Sequence, residues 1–267
     1  MMNRSYTFDE NISSKELGAL KNDWLQTLTS PQDGMWESFR ANAINYGIRH
    51  EQDWVGYANV SVEGKLLQFY LSPQHMQQGI EVFTQFLDEY QLSSAIVGTN
   101  NPCFMSVALM NPRHVSIDTY LFRDYSYQQI PEKEGRLKLC ESEDLNRIVE
   151  FCQVSLGAPI GWLTSYIDGL IERNEIFVLQ QGQVIVGTCE VRQSLSAQNY
   201  ADIGMVVSSD FRKRGFGTYL LNQAIRIAQQ RNKTPICSTE RDNIGSLKAI
   251  HACGFYSQYQ LLEVSFN

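Results

Sequence analysis

Residues 203–218 read Ile203-Gly204-Met205-Val206-Val207-Ser208-Ser209-Asp210-Phe211-Arg212-Lys213-Arg214-Gly215-Phe216-Gly217-Thr218. The first five are mostly apolar and β-prone, and the last lead into Tyr219, Leu220, Leu221 and Ala224, which recur at helical spacing. Between strand and helix lies a turn with two glycines and three basic residues. Physically this is an anion cradle. Glycine lets the backbone approach a ligand, and the first N–H groups of a helix lack internal partners. The helix dipole adds positive potential there, and basic side chains add charge-assisted contacts. A pyrophosphate-bearing cofactor suits such a turn. Two other phosphate motifs fail: Leu220 stands where GxGxxG needs its third glycine, and after Gly182 and Gly187 comes Thr188 instead of the P-loop lysine.

Working outward, 136–140 reads as a strand and 142–156 as a helix started by Ser142 and Asp144. A second helix follows at 161–173, then a hairpin turning near Gly182 and a strand around 200–209. After the basic turn and its helix, 235–240 is a strand and 243–255 a short helix. Asn243 caps that helix, Gly254 suits its left-handed stop, and a last strand follows. The polar stretch QQIPEKEGR at 128–136 is a plausible linker. In the first half, Leu17, Leu20, Trp24, Leu25 and Leu28 share one helical face, and 54–73 reads as a hairpin about Glu63-Gly64. A helix through Ile80, Phe83, Phe86 and Leu87, a strand near 93–99, a short helix and a strand complete it. The similar order in both halves is a weak internal repeat, which favours two related α/β domains.

Together, Arg212-x-x-Gly215-x-Gly217 and Asn243-x-x-Ser246 through Gly254-Phe255 resemble the GCN5-related N-acetyltransferase (GNAT) superfamily. The resemblance covers about residues 136–267. It implies an α/β (α+β) fold with two GNAT-like domains, each a mixed, mostly antiparallel sheet flanked by helices. The domains are expected at 1–130, as a degenerate GNAT-like half, and at 136–267, as the acetyltransferase domain. The implied cofactor is acetyl-CoA, and the implied reaction is direct acetyl transfer to an amine. Backbone groups of Met205, Val206 and Val207 would pair with the pantetheine arm, on a strand that splays from the next one in this family. Arg212, Lys213, Arg214, Gly215, Phe216, Gly217 and Thr218 would hold the pyrophosphate, and Asn243 and Ser246 would reach the pantetheine or the thioester sulfur region.

The acid–base groups depart from the familiar pattern. Many members place a tyrosine where this chain has Ile250, and a glutamate where it has Ser238. His251 adjoins the first position, but one step along a helix turns its side chain by about 100°. Glu240 lies two residues beyond the second, on the same strand face. Glu240, Asp202 and His251 are therefore the acid–base candidates, with Glu190 on a preceding strand. Trp162, Tyr166 and Tyr200 are candidates for lining the acceptor. In the first half no arginine and a single glycine, Gly79, follow the strand ending at Pro73, although Asn100-Asn101 precedes a short helix as Asn243 does.

Composition limits the partners. The net charge is −7; residues 1–130 carry 8 Lys and Arg against 14 Asp and Glu, and residues 131–267 carry 14 against 15. No broad basic surface for nucleic acid is expected from such a balance. The six cysteines and four histidines are dispersed, without zinc spacing, so no metal site and a reducing, cytoplasmic setting are expected. No segment reads as a signal peptide or a membrane span. The acceptor is left as a small-molecule or peptide amine, and the state as monomer or homodimer. A non-catalytic acyl-CoA-binding sensor module is the alternative, raised by the missing tyrosine and glutamate.

Overall fold

A computed structural model describes residues 6–266. The chain divides into two compact units, residues 6–120 with 259–266, and residues 121–258. The first contains β1 (Tyr6–Glu10), α1 (Gly18–Thr27), α2 (Gly34–Ala41), β2 (Ile44–His50), β3 (Asp53–Val60), β4 (Leu66–Leu71), α3 (Gly79–Glu89), β5 (Ser94–Gly98), α4 (Pro102–Ala108) and the start of β6 (His114–Tyr125). The second contains β7 (Arg136–Leu139), α5 (Leu145–Leu156), α6 (Ile160–Glu172), β8 (Ile176–Gln181), β9 (Val184–Gln193), β10 (Tyr200–Val207), α7 (Phe216–Gln230), β11 (Thr234–Glu240), α8 (Ile244–Ala252) and the start of β12 (Phe255–Ser265). The end of β12 belongs to the first unit, where Leu261–Ser265 pairs antiparallel with β5.

Each unit has the mixed, mostly antiparallel sheet that the resemblance implies. In the first, the strands run β1-β2-β3-β4-β5-β12, and β4/β5 is the parallel pair. In the second, they run β11-β10-β9-β8-β7, and β10/β11 is the parallel pair. The two units therefore share the order strand, two helices, three strands, helix, strand, helix, strand. Three elements of the first unit, β1, α2 and β2, escape the sequence reading. The strand β2, INYGIRH, mixes polar residues and glycine into a short run, so it lacks a clean alternation. The helix α2 is short, and its Asp33 cap accepts from the Trp36 N–H at 3.0 Å.

Local chemistry accounts for the remaining boundaries. Ser13 and Glu16 cap each other reciprocally, through Glu16 N–H to Ser13 Oγ at 3.3 Å and Ser13 N–H to Glu16 Oε2 at 3.2 Å. The helix proper begins a turn later, at Gly18. Helix α7 buries Leu220, Leu221, Ala224, Ile225 and Ala228, one apolar stripe against its sheet. Gly254 follows α8 at φ +89°, the left-handed stop expected there. Among the described residues no helix is long and apolar enough to cross a membrane.

Candidate active site

In the second unit, β10 and β11 pair only from Tyr200↔Thr234 to Asp202↔Ile236. On its other side β10 remains paired with β9 as far as Val207↔Gly187. Beyond Asp202, then, β10 is laddered on one edge and open on the other. A wedge between two parallel strands results, and an extended ligand can add its own hydrogen bonds along such an edge. Met205, Val206 and Val207 line the open stretch. The Met205 side chain points to the α7 side: its Cε lies 3.5 Å from where a side chain on Gly217 would begin.

The turn after β10 ends at the N-terminus of α7. The first intrahelical bond, Tyr219 N–H to Gly215 C=O, is 3.1 Å long. The N–H groups of Phe216, Gly217 and Thr218 are therefore the helix's unsatisfied donors. Gly215 has φ +83° and Lys213 φ +59°, a left-handed backbone that aims successive N–H groups to one side. Arg212 has a different occupation. Its Nε donates to Val207 C=O at 3.1 Å and its Nη2 to Ser155 C=O at 2.9 Å, so it ties the turn to the end of β10 and the last turn of α5. Lys213 and Arg214 are exposed, and the Arg214 guanidinium lies 5.2 Å from the Phe211 ring centroid. At the far side of the wedge, Asn243 Oδ1 accepts from Ser246 N–H at 3.1 Å and caps α8.

A polar cluster lies on the opposite sheet face from α7. Strand alternation puts Asp202, Gly204 and Val206 on this face, with Arg192 opposite Asp202 and Glu190 opposite Gly204. The Tyr166 hydroxyl of α6 donates to Glu190 Oε2 at 2.6 Å. Arg192 Nε lies 3.4 Å from the same oxygen. Glu190 Oε2 is also 3.9 Å from where a side chain on Gly204 would begin, so the carboxylate sits over the first open residues of β10. Burial, and then the Glu190 charge, push the Tyr166 phenol far above its ordinary pKa. The phenol thus stays protonated and donating at any working pH. Trp162 stacks on Tyr166 with centroids 4.9 Å apart and 9° between planes, and is 44% exposed. Asp202, by contrast, is 1% exposed.

The remaining acid–base candidates lie apart from this cluster. Glu240 is exposed at the end of β11, and its carbonyl accepts the Asn243 N–H at 3.1 Å. His251 Nδ1 is 3.1 Å from the Phe255 carbonyl oxygen, and its ring packs edge-on against Phe122 at 5.7 Å. Ile250 is buried. Tyr200 occupies the closed, paired end of β10. Sequence reading misses Arg192 and the convergence of Tyr166 with Glu190. These two stand 24 residues apart, and no local spacing joins them; the alternation of β9, with Glu190 and Arg192 on one face, is the signal that could have found the pair.

The first unit has the same parting but fills it. Only Leu66↔Ala95 joins β4 to β5. Gln68, 2% exposed, donates through Nε2 to the Phe69 carbonyl at 3.2 Å and accepts from Asn101 Nδ2 at 3.0 Å. Asn100 donates to the carbonyls of Ser30 and Pro31, both at 3.2 Å. Where the second unit has its basic turn, the first has a 3₁₀ turn, Pro73–Gln78, with His75 N–H bound to Ser72 C=O.

A mixed sheet parted at its one parallel pair, with a basic helix start at the parting, defines an acetyltransferase-type fold. Here the fold occurs twice and the basic turn once. Residues 13–125 match the model of an acetyltransferase (GNAT) domain, and residues 155–255 match that of the acetyltransferase (GNAT) family. The chain belongs to the GNAT superfamily and carries two of its domains. It is similar in structure to a GNAT-family acetyltransferase from Colwellia psychrerythraea, with TM-score 0.93, 27% identity, and 98% of this chain and 100% of that one covered. A GCN5-related N-acetyltransferase from Sphaerobacter thermophilus aligns with TM-score 0.68 at 14% identity, over 97% and 95% of the two chains. A tandem GNAT protein from the clavulanic acid biosynthesis pathway aligns with TM-score 0.64 at 13% identity, over 97% of each. No curated protein matches.

Proposed function

We propose that the second unit binds acetyl-CoA and transfers its acetyl group directly to a primary amine of a small molecule or peptide. The observation that carries this is the open edge of β10 running into the unsatisfied N–H groups of α7. The residues fit the cofactor. Phe216, Gly217 and Thr218 would hold the pyrophosphate through backbone N–H groups, with Gly215 supplying the turn and Lys213 and Arg214 adding charge. Arg212 would serve by holding that turn in place. Met205, Val206 and Val207 would take the pantetheine arm, and Asn243, whose carboxamide N–H₂ remains free to donate, would stand with Ser246 at the thioester end. When bound, acetyl-CoA supplies an activated acyl thioester.

The chain's own groups then manage charge and protons. Glu190 attracts the ammonium of an acceptor and takes a proton from it, while the Tyr166 hydroxyl keeps Glu190 Oε2 in place. Arg192 and Asp202 complete the polar floor, and the Trp162–Tyr166 stack forms an apolar wall. The Met205 N–H is the candidate donor to the thioester carbonyl. The Ser208 N–H to Val186 C=O bond puts the even-numbered residues of β10 in the β9 ladder and leaves Met205 facing the open edge. The buried Cys152 thiol has its pKa pushed up to about 12, by burial and then by the Glu190 charge, so it stays protonated near neutral pH.

Buried Ile250 favours the second reading, an acyl-CoA sensor, because it leaves no phenol to protonate a leaving thiolate. Free-thiol release from acetyl-CoA over a panel of amines separates the two readings. Acetyl transfer to at least one amine is expected. Tight coenzyme A binding with no turnover on any amine would establish the sensor. Gly215→Val, strained at its φ, is expected to lower coenzyme A affinity by about tenfold or more.

A further inference from the structure

We infer that Lys133, on the segment between β6 and β7, is a pyrophosphate-binding residue of the second unit's cofactor site; this rests on the coenzyme A reading above. Residues 126–135 contain no helix or strand, yet the chain is pinned on both sides of Lys133. Before it, Glu132 Oε1 accepts from Arg226 Nη1 of α7 at 3.0 Å and also bonds the Tyr219 side chain. After it, the Glu134 carbonyl accepts from Gln181 Nε2, at the end of β8, at 2.9 Å. Between these anchors Lys133 reaches across the start of α7. Its Cε and Nζ each lie 3.3 Å from where a side chain on Gly215 would begin, and Nζ is 5.7 Å from the Phe216 ring centroid.

Electrostatics give this position a purpose. The Arg214 guanidinium lies over the same Phe216 ring, 5.9 Å from its centroid, and Lys213 precedes it in the turn. Among the described residues none of these three cations is paired with a carboxylate. All stand at the positive end of the helix Phe216–Gln230. Cations gathered there repel one another and the helix dipole, so their gathering is unfavourable until a doubly charged anion joins them. Of the two acids that flank Lys133, Glu132 is turned to Arg226 and Tyr219, and among the described residues neither is ion-paired with Lys133. Lys133 is thus left free to face a ligand over Gly215, where the absent side chain leaves room.

Calorimetric titration of the full chain with coenzyme A and with 3′-dephospho-coenzyme A tests this. Lys133→Ala is expected to weaken both ligands by about tenfold and equally, with most of the affinity restored in Lys133→Arg. The loss should shrink as salt is raised, because the contact is partly exposed. The melting temperature of the unliganded protein should not fall, which separates a lost contact from a damaged fold. A Lys133→Ala variant that binds like the wild type overturns the inference and leaves the acetyl-CoA reading standing. A loss confined to coenzyme A and absent from the dephospho form also overturns it, since the contact is then with the 3′-phosphate. If the wild type binds neither ligand, the acetyl-CoA reading falls and Lys133 with it.

Discussion

Glu190 stands beside Gly204 at the start of the open edge of β10, with the Tyr166 hydroxyl 2.6 Å and the Arg192 Nε 3.4 Å from one of its oxygens. A carboxylate held by one donor and one cation is fixed in orientation, yet its second oxygen is left to a ligand. Replacing Glu190 with Gln keeps the shape and removes the charge. Turnover on any amine that the wild type acetylates is expected to fall by about a hundredfold or more, with coenzyme A affinity unchanged. Full activity in that variant would remove Glu190 from the chemistry. The sequence displays these residues only one at a time. The turn proposed for the cofactor was legible because its parts are neighbours in the chain, from Met205 to Thr218. The Tyr166–Glu190 pair was not, because its members meet only through tertiary packing of α6 on the sheet.

Among the elements, the start of α5 shows how a local signal is built and how it can be titrated. Ser142–Asp144 forms a 3₁₀ turn in which Glu141 N–H donates to Asp144 Oδ2 at 3.1 Å and Lys138 Nζ lies 2.9 Å from both Asp144 oxygens. Burial raises the Asp144 pKa, but the bonds from Lys138 and Glu141 outweigh it, and the carboxyl ends below its ordinary value. A folded-state pKa below the unfolded one means stability that is complete above the unfolded pKa and fades as pH falls through the folded one. Asp144→Ala should therefore cost about 1–2 kcal/mol at neutral pH, by chemical denaturation, and progressively less below about pH 4. An equal cost at pH 7 and pH 2.5 would show that the charge is not what stabilises this turn. Asp144 as a starting residue was readable from sequence, as were Asn243 and Gly254, because caps are local. Strand β2 was not, because what holds INYGIRH extended is its pairing with β1 and β3 on either side.

For the molecule as a whole, the two GNAT domains differ at the parting of their sheets. Gln68, Asn100 and Asn101 occupy the first unit's parting with their own hydrogen bonds, and no basic turn precedes α3. One coenzyme A per chain is expected by calorimetry, and a stoichiometry of two would show that the Gln68 network opens to ligand. The doubling itself was visible as a repeated order of helices and strands. Which side chains fill the parting could not be read, since Gln68 and Asn101 stand 33 residues apart. Strand β12 adds a constraint of another kind. Leu261–Ser265 completes the first unit's sheet against β5, although these residues come at the far end of the chain. During synthesis the first unit must wait with an unpaired β5 edge until the whole second unit has left the ribosome. The domain that begins first is thus the one that finishes last.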